Sequence, residues 1–240
     1  MHEHIFHQAN TRGEANHGWL KSFHTFSFGS YYHPERINFG VLRVLNDDTV
    51  TGGMGFGAHP HDNMEIISIP LRGKLIHEDS LGHKSIIKKG DIQVMSAGSG
   101  ISHSEYNQSK SEPVAFLQIW VYPNKRNVPS RYQQISLLEA ERKNKLQQIL
   151  SPEPDGEGVW IHQDAWFHLG NFDRGTSTTY SLKKAGNGVY AFILKGTFQV
   201  DHREIGPRDG LGITGAERIH LVAGEDDAEI LIMEVPMLQD

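Results

Sequence analysis

Apolar residues fall along this chain in short runs that alternate with polar positions, and nearly every run ends at a glycine or a polar cluster. Phe39-Gly40-Val41-Leu42-Arg43-Val44-Leu45 alternates and is followed by Asn46-Asp47-Asp48, which predicts a strand stopped by a turn. Ile66 to Leu71 is apolar and breaks at Arg72-Gly73 before Lys74-Leu75-Ile76-His77, which reads as a hairpin. Ser85-Ile86-Ile87, Ile92-Gln93-Val94-Met95 and the run from Val114 to Val121 supply further strands. Many short strands punctuated by glycine predict an all-β barrel or sandwich.

One segment departs from this period. Ser136-Leu137-Leu138-Glu139 has the capping-box pattern, and Glu141 with Lys145 can pair one turn apart, so a helix is expected over 136–150. Ser151-Pro152-Glu153-Pro154-Asp155-Gly156 then reads as a linker, which divides the chain into 1–135, a helix and linker over 136–157, and 158–240. Beyond it the strand pattern returns. Leu194-Lys195-Gly196-Thr197-Phe198 resembles Leu71-Arg72-Gly73-Lys74-Leu75, and at that offset His59, His61 and Glu65 correspond to Leu182, Lys184 and Gly188. His220 can match His103, but a single imidazole does not hold a metal, so a structural role is expected for the second half.

Composition narrows the chemistry. The absence of cysteine rules out disulfides, thiolate ligands and a cysteine nucleophile. A net charge of −6 argues against direct nucleic-acid binding, which needs clustered Lys and Arg. The N-terminus lacks the pattern of a signal peptide and no apolar stretch is long enough to span a bilayer, so a cytoplasmic protein without membrane contact is expected. His2, His4 and His7 read as a polar tail, and Arg12 and Arg131 as ordinary surface salt-bridge residues.

The chemistry concentrates in His59-Pro60-His61-Asp62-Asn63-Met64-Glu65 and His103-Ser104-Glu105. Side chains two apart on a strand share a face, so His59, His61 and Glu65 can point one way, as can His103 and Glu105. Three imidazoles and a carboxylate suit a divalent first-row transition metal without naming it. Gly52-Gly53-Met54-Gly55-Phe56-Gly57 leads into a strand, not a helix N-terminus, so it is expected to serve tight turning and close approach, not phosphate binding.

Gly53-x5-His59-x-His61-x3-Glu65-x7-Gly73 resembles the first cupin motif, and Gly100-x2-His103-x3-Asn107 the end of the second. The position near the start of the second motif, commonly proline, is Ser96 or Gly98 here. With His17-x-Trp19, Phe23-His24-Thr25-Phe26-Ser27-Phe28, the segment from Met95 to Glu105 and Leu117-Gln118-Ile119-Trp120-Val121, residues 12 to 122 are similar to the pirin family. The resemblance implies a bicupin, two packed β-barrels with the metal in the first. The implied ligands are His59, His61, His103 and Glu105. Glu65 is not a ligand in that pattern, and its expected place is either behind a ligating imidazole or as a satisfied polar residue of the barrel.

Some pirins resemble quercetinases, which implies a metal-dependent dioxygenase that opens quercetin-type flavonols and releases carbon monoxide, with Glu105 as general base. Fe(II) is the expected metal, and Mn, Co, Ni, Cu or Zn suit the same donors. Dioxygen is the co-substrate, a small aromatic molecule the ligand, and a monomer the expected state. Two rivals follow from the same resemblance: a non-enzymatic metal- or redox-sensing regulator acting on a protein partner, and a metal-dependent isomerase using Glu105 as proton shuttle. Because imidazoles must be neutral to coordinate, metal loss is expected to begin near or below pH ~6.

Overall fold

The strand Val114–Val121 shows how the sequence builds the fold. Phe116, Gln118 and Trp120 share one face, while Leu117, Ile119 and Val121 share the other. Burial on both faces makes the strand read as a continuous apolar run, not as an alternating one. In the computed structural model, which describes residues 2–238, this strand lies at the centre of a seven-stranded sheet. That sheet runs in the order Arg131–Ser136, Asp91–Ser96, Glu65–Arg72, Val114–Val121, Leu42–Val50, Leu20–His24 and Gly13–Asn16. A four-stranded sheet of Gly55–His61, Ile101–Asn107, Lys74–Asp79 and Lys84–Lys88 closes the first barrel.

The second half repeats the plan. A seven-stranded sheet includes Asn187–Lys195, Ala228–Pro236, Trp166–Phe172 and Leu146–Ser151, and a four-stranded sheet includes Arg218–Ala223 and Ser177–Ser181. Its interior is apolar, filled by side chains such as Phe172, Val189, Phe198, Leu211 and Ile230. Leu45, Ile67, Ile119, Phe167, Phe192 and Met233 belong to one buried cluster, which joins the two large sheets face to face. Each such side chain contributes about 1.5–3 kcal/mol relative to exposure, so this layer fixes the mutual position of the barrels. The all-β bicupin expectation is met. Among the described residues no helix is long and apolar enough to cross a membrane.

Several local expectations are corrected. The strand expected to stop at Asn46 runs instead over Leu42–Val50, because Asn46, Asp47 and Asp48 pair with strands on both sides. The helix expected over 136–150 shrinks to a single 3-10 turn at Glu139–Arg142, while Leu146–Ser151 is a strand paired with Trp166–Phe172. Ser136 does not cap a helix; its hydroxyl donates to Asp91 Oδ1 at 2.7 Å, and its strand pairs with Asp91–Ser96. Arg72-Gly73 is a corner and not a hairpin, since the strands on either side belong to different sheets. Gly73 takes φ 76°, a conformation that favours glycine. Lys195-Gly196 turns the corresponding corner in the second barrel, so the internal repeat is real although the turn type differs.

The N-terminal histidines do not lie on a free tail. Glu3–His7 pairs with Gly210–Thr214 and so extends the second barrel's sheet, although the chain next enters the first. His7 is buried, with Nδ1 2.8 Å from the Tyr190 hydroxyl. Nor are Arg12 and Arg131 surface salt-bridge residues. Asp47, on the first barrel, receives both Arg12 at 3.3 Å and Arg208 of the second barrel at 2.8 Å. Arg131 donates to Ser96 Oγ and the Trp160 carbonyl and stacks over the Trp160 ring at 3.9 Å.

Candidate metal centre

The strand Ile101–Asn107 organises the site by register. His103 lies opposite His59 on one side and Asp79 on the other, and Glu105 lies opposite Phe56 and His77. The pairing shifts between His103 and Glu105, where the strand Gly55–His61 carries an extra residue. Gly55 permits this close approach, since a Cβ there would collide with the Glu105 carbonyl and the Tyr106 backbone. Gly53, at φ 73°, turns the chain into the strand. The glycine run therefore serves the turning and close approach expected of it.

Three of the expected residues converge. Ligand-capable nitrogens of His59, His61 and His103 all lie within 4.8 Å of one another. Their ring centroids are 4.5 to 5.0 Å apart. His59 Nδ1 lies 2.7 Å from the Gly57 carbonyl, so this nitrogen carries the proton and Nε2 is left as the free donor. His103 is buried, and neither ring nitrogen has a partner among the described residues. An imidazole so placed is costly unless something else satisfies it, and a divalent transition metal fits both this gap and the donor chemistry. Burial, reinforced by the neighbouring imidazoles, pushes His103 down to about 2, and burial followed by His59 pushes His61 down to about 4. Both shifts favour the neutral imidazole, the form that coordinates.

Glu105 occupies an adjoining set. Its carboxylate lies with His103 and His77 within the same 4.8 Å limit, while it accepts from Ser68 Oγ at 3.2 Å and Gln118 Nε2 at 2.9 Å. Burial pushes its carboxyl up to about 7, against the two hydrogen bonds. His77 was missed in the sequence, although Leu75, two residues earlier on the same buried face, signals that its ring points inward. Its Nε2 lies 3.1 Å from Asp79, whose carboxylate also meets His83.

Glu65 takes the satisfied polar role and does not stand behind a ligand. The strand carrying His59 and His61 ends at His61, and Asn63, at φ 46°, turns the chain before Glu65 begins the next one. Face-sharing does not survive that turn. The Glu65 carboxylate accepts from Ser96 Oγ at 2.6 Å and meets His162 Nδ1 at 3.1 Å. In the second barrel His220 is exposed, and a buried apolar interior stands where the first barrel gathers histidines.

The centre opens on a cavity of about 490 Å³. His59, His61, His103 and Glu105 line one part of it, with Phe28, Phe56 and Trp120 as aromatic walls. Asp48, a second buried carboxyl pushed up to about 7 by burial, also faces it. A cavity of this size, with aromatic walls and polar side chains at its ends and sides, suits a small aromatic molecule that carries polar groups.

Comparison with known proteins agrees with this architecture. Residues 5–121 match the model of the Pirin family, and residues 148–235 match that of the quercetinase C-terminal cupin domain. Quercetin 2,3-dioxygenase of Escherichia coli K12 is 38% identical over 229 residues, covering 95% of this chain and 97% of the relative. A pirin-like protein of Caulobacter vibrioides is 38% identical over 223 residues, covering 92% and 95%. The crystal structure of the bacterial pirin YhhW of Escherichia coli in complex with nickel(II) superposes with a TM-score of 0.92 at 36% identity, covering 98% of this chain and 100% of that one. With two barrels, a cluster of histidines in the first and likeness over nearly its whole length, the chain belongs to the pirin family.

Proposed function

We propose that the chain is a metal-dependent dioxygenase that cleaves the heterocycle of quercetin-type flavonols and releases carbon monoxide. The convergence of His59, His61 and His103 at the wall of an aromatic-lined cavity carries this reading. The name of the Escherichia coli relative and the quercetinase domain matched by the second half support it. His59, His61 and His103 would hold the metal, with Glu105, which adjoins His103, as the fourth donor. When bound, a divalent transition metal would supply Lewis acidity that lowers the pKa of the substrate's 3-hydroxyl and a common site for flavonolate and dioxygen, the electrons coming from the flavonolate itself. We take iron(II) as the metal; the related pirin of Escherichia coli has been crystallised in complex with nickel(II).

The protein's own groups do the rest. Glu105, on the cavity wall beside His103, accepts the 3-hydroxyl proton. Ser68 and Gln118 hold that carboxylate in place. Phe28, Phe56 and Trp120 exclude water and hold the flat ring system. The reaction balances as one flavonol and one dioxygen giving one ester and one carbon monoxide. Both oxygen atoms enter the ester, and the lost ring carbon leaves with its own hydroxyl oxygen.

Oxygen uptake with quercetin, after metal-free protein is reloaded separately with iron, manganese, cobalt, nickel and copper, tests the reading, with His61→Ala as control. Metal-dependent uptake that is absent in the variant is expected. Silence of every fully loaded form would reject it and favour an isomerase or a regulator.

A further inference from the structure

Five polar side chains form one row across the inner face of the first barrel's large sheet. His24 lies opposite Asn46, Asn46 opposite Gln118, Gln118 opposite Ser68, and Ser68 opposite Gln93. Every one of them is buried. The positions between them on the same strands, such as Leu45, Leu117 and Ile67, face the other barrel and are apolar. Directly paired residues share a face, so the row is built by register and does not arise from scattered polar substitutions.

Four members of this row carry a buried atom without a partner among the described residues: His24 Nδ1, Asn46 Oδ1, Gln118 Oε1 and Gln93 Nε2. Such atoms cost stability, and a row of them needs a reason. His24, Asn46 and Gln118 line the 490 Å³ cavity, as do Ser22 and Asp48, the adjacent pair on the same strands. The orientation of Gln118 is set, because its Nε2 donates to Glu105 and its Oε1 is left as a free acceptor. Asp48 accepts the Ser22 hydroxyl and retains further acceptor capacity. Gln118 and Asp48 therefore offer acceptors to the cavity, and Asn46 and His24 can accept as well, so a molecule that brings donors satisfies them.

We infer that the cavity-lining part of this row, His24, Asn46 and Gln118, with Asp48 beside it, is a subsite for the ring hydroxyl groups of a polyphenol, with Asn46 and Asp48 selecting hydroxylated flavonols over bare ones. The inference rests on the substrate class proposed above. A site built to receive hydroxyl donors rejects an analogue that lacks them, because its own polar atoms then stay unpaired. The histidines and Glu105 engage the one hydroxyl that every flavonol shares, and the row reads the remaining ones.

Anaerobic titration of nickel-loaded protein with quercetin and with 3-hydroxyflavone, followed by calorimetry, tests this without turnover. Quercetin is expected to bind at least ~10-fold more tightly. In Asn46→Leu the ratio is expected to fall to roughly threefold or less. Asp48→Asn, which keeps the hydrogen bond from Ser22, serves as a second variant in case the apolar replacement perturbs folding, and it is expected to reduce the ratio as well. Equal affinity for the two flavonols, no saturable binding of either, or an unchanged ratio in both variants overturns the subsite. Failure of the dioxygenase reading would appear as silent oxygen uptake with this ratio intact, so the two outcomes are separable.

Discussion

His103 combines a cost in stability with a role in binding. Both its nitrogens are buried without a partner among the described residues. His103→Leu should therefore leave the metal-free protein as stable or more stable, by about 1–2 kcal/mol in chemical denaturation. The same variant should lose the extra stability that metal confers on the wild type, and a strongly destabilised metal-free variant would contradict this account. His168 gives the pH counterpart in the second barrel. Burial pushes it down to about 4, so the unfolded chain takes up a proton near pH ~6.5 that the folded chain refuses. Its contribution is present above that range and is lost as pH falls toward 4, amounting to about 3 kcal/mol. Unfolding free energy measured between pH ~7 and ~4 should fall less steeply in His168→Gln, and identical slopes would reject the assignment. At this scale the sequence shows the three converging histidines and Glu105, because two spaced motifs carry them. It hides Asn46, Asp48 and His77, whose roles depend on which strands lie beside them.

The element scale shows where local pattern misleads. Asn46-Asp47-Asp48 looks like a turn because its polarity matches turn chemistry. Its alternation is nevertheless that of a strand between two unlike environments: Asn46 and Asp48 face the cavity, and Asp47 meets Arg12 and Arg208. The segment 136–150 looks helical through its capping box and charge spacing, yet pairing with Trp166–Phe172 claims its last residues. Tertiary pairing overrides helix propensity when that edge of the sheet would otherwise lack a partner. The strands Glu65–Arg72 and Val114–Val121 were legible because burial on both faces leaves an apolar run. Ile119→Ala, which opens a hole in the layer between the barrels, should cost about 2–5 kcal/mol in chemical denaturation. A loss below about 1 kcal/mol would mean that the two sheets do not depend on this layer.

The whole molecule depends on an early strand that sequence proximity assigns to the wrong barrel. Glu3–His7 precedes the metal-centre barrel in the chain but extends the sheet of the other one, and His7 reaches the buried Tyr190 hydroxyl. No local signal identifies that partner, since the pairing spans the length of the chain. Removing residues 2–7 should lower the thermal midpoint by several degrees, roughly 2–4 °C per kcal/mol lost at this size. Metal stoichiometry should be unchanged, because the ligands lie on other strands; a loss of metal with the strand would contradict the separation of roles. The bicupin plan itself was legible from the motifs of residues 12 to 122 and the repeated glycine corners. The assignment of the histidine barrel to flavonol cleavage is tested most directly by mass balance with labelled dioxygen. Iron-loaded protein supplied with quercetin and oxygen-18 gas should release one unlabelled carbon monoxide per dioxygen consumed and an ester carrying both labelled atoms. Oxygen consumed without carbon monoxide, or an ester without the label, would contradict it.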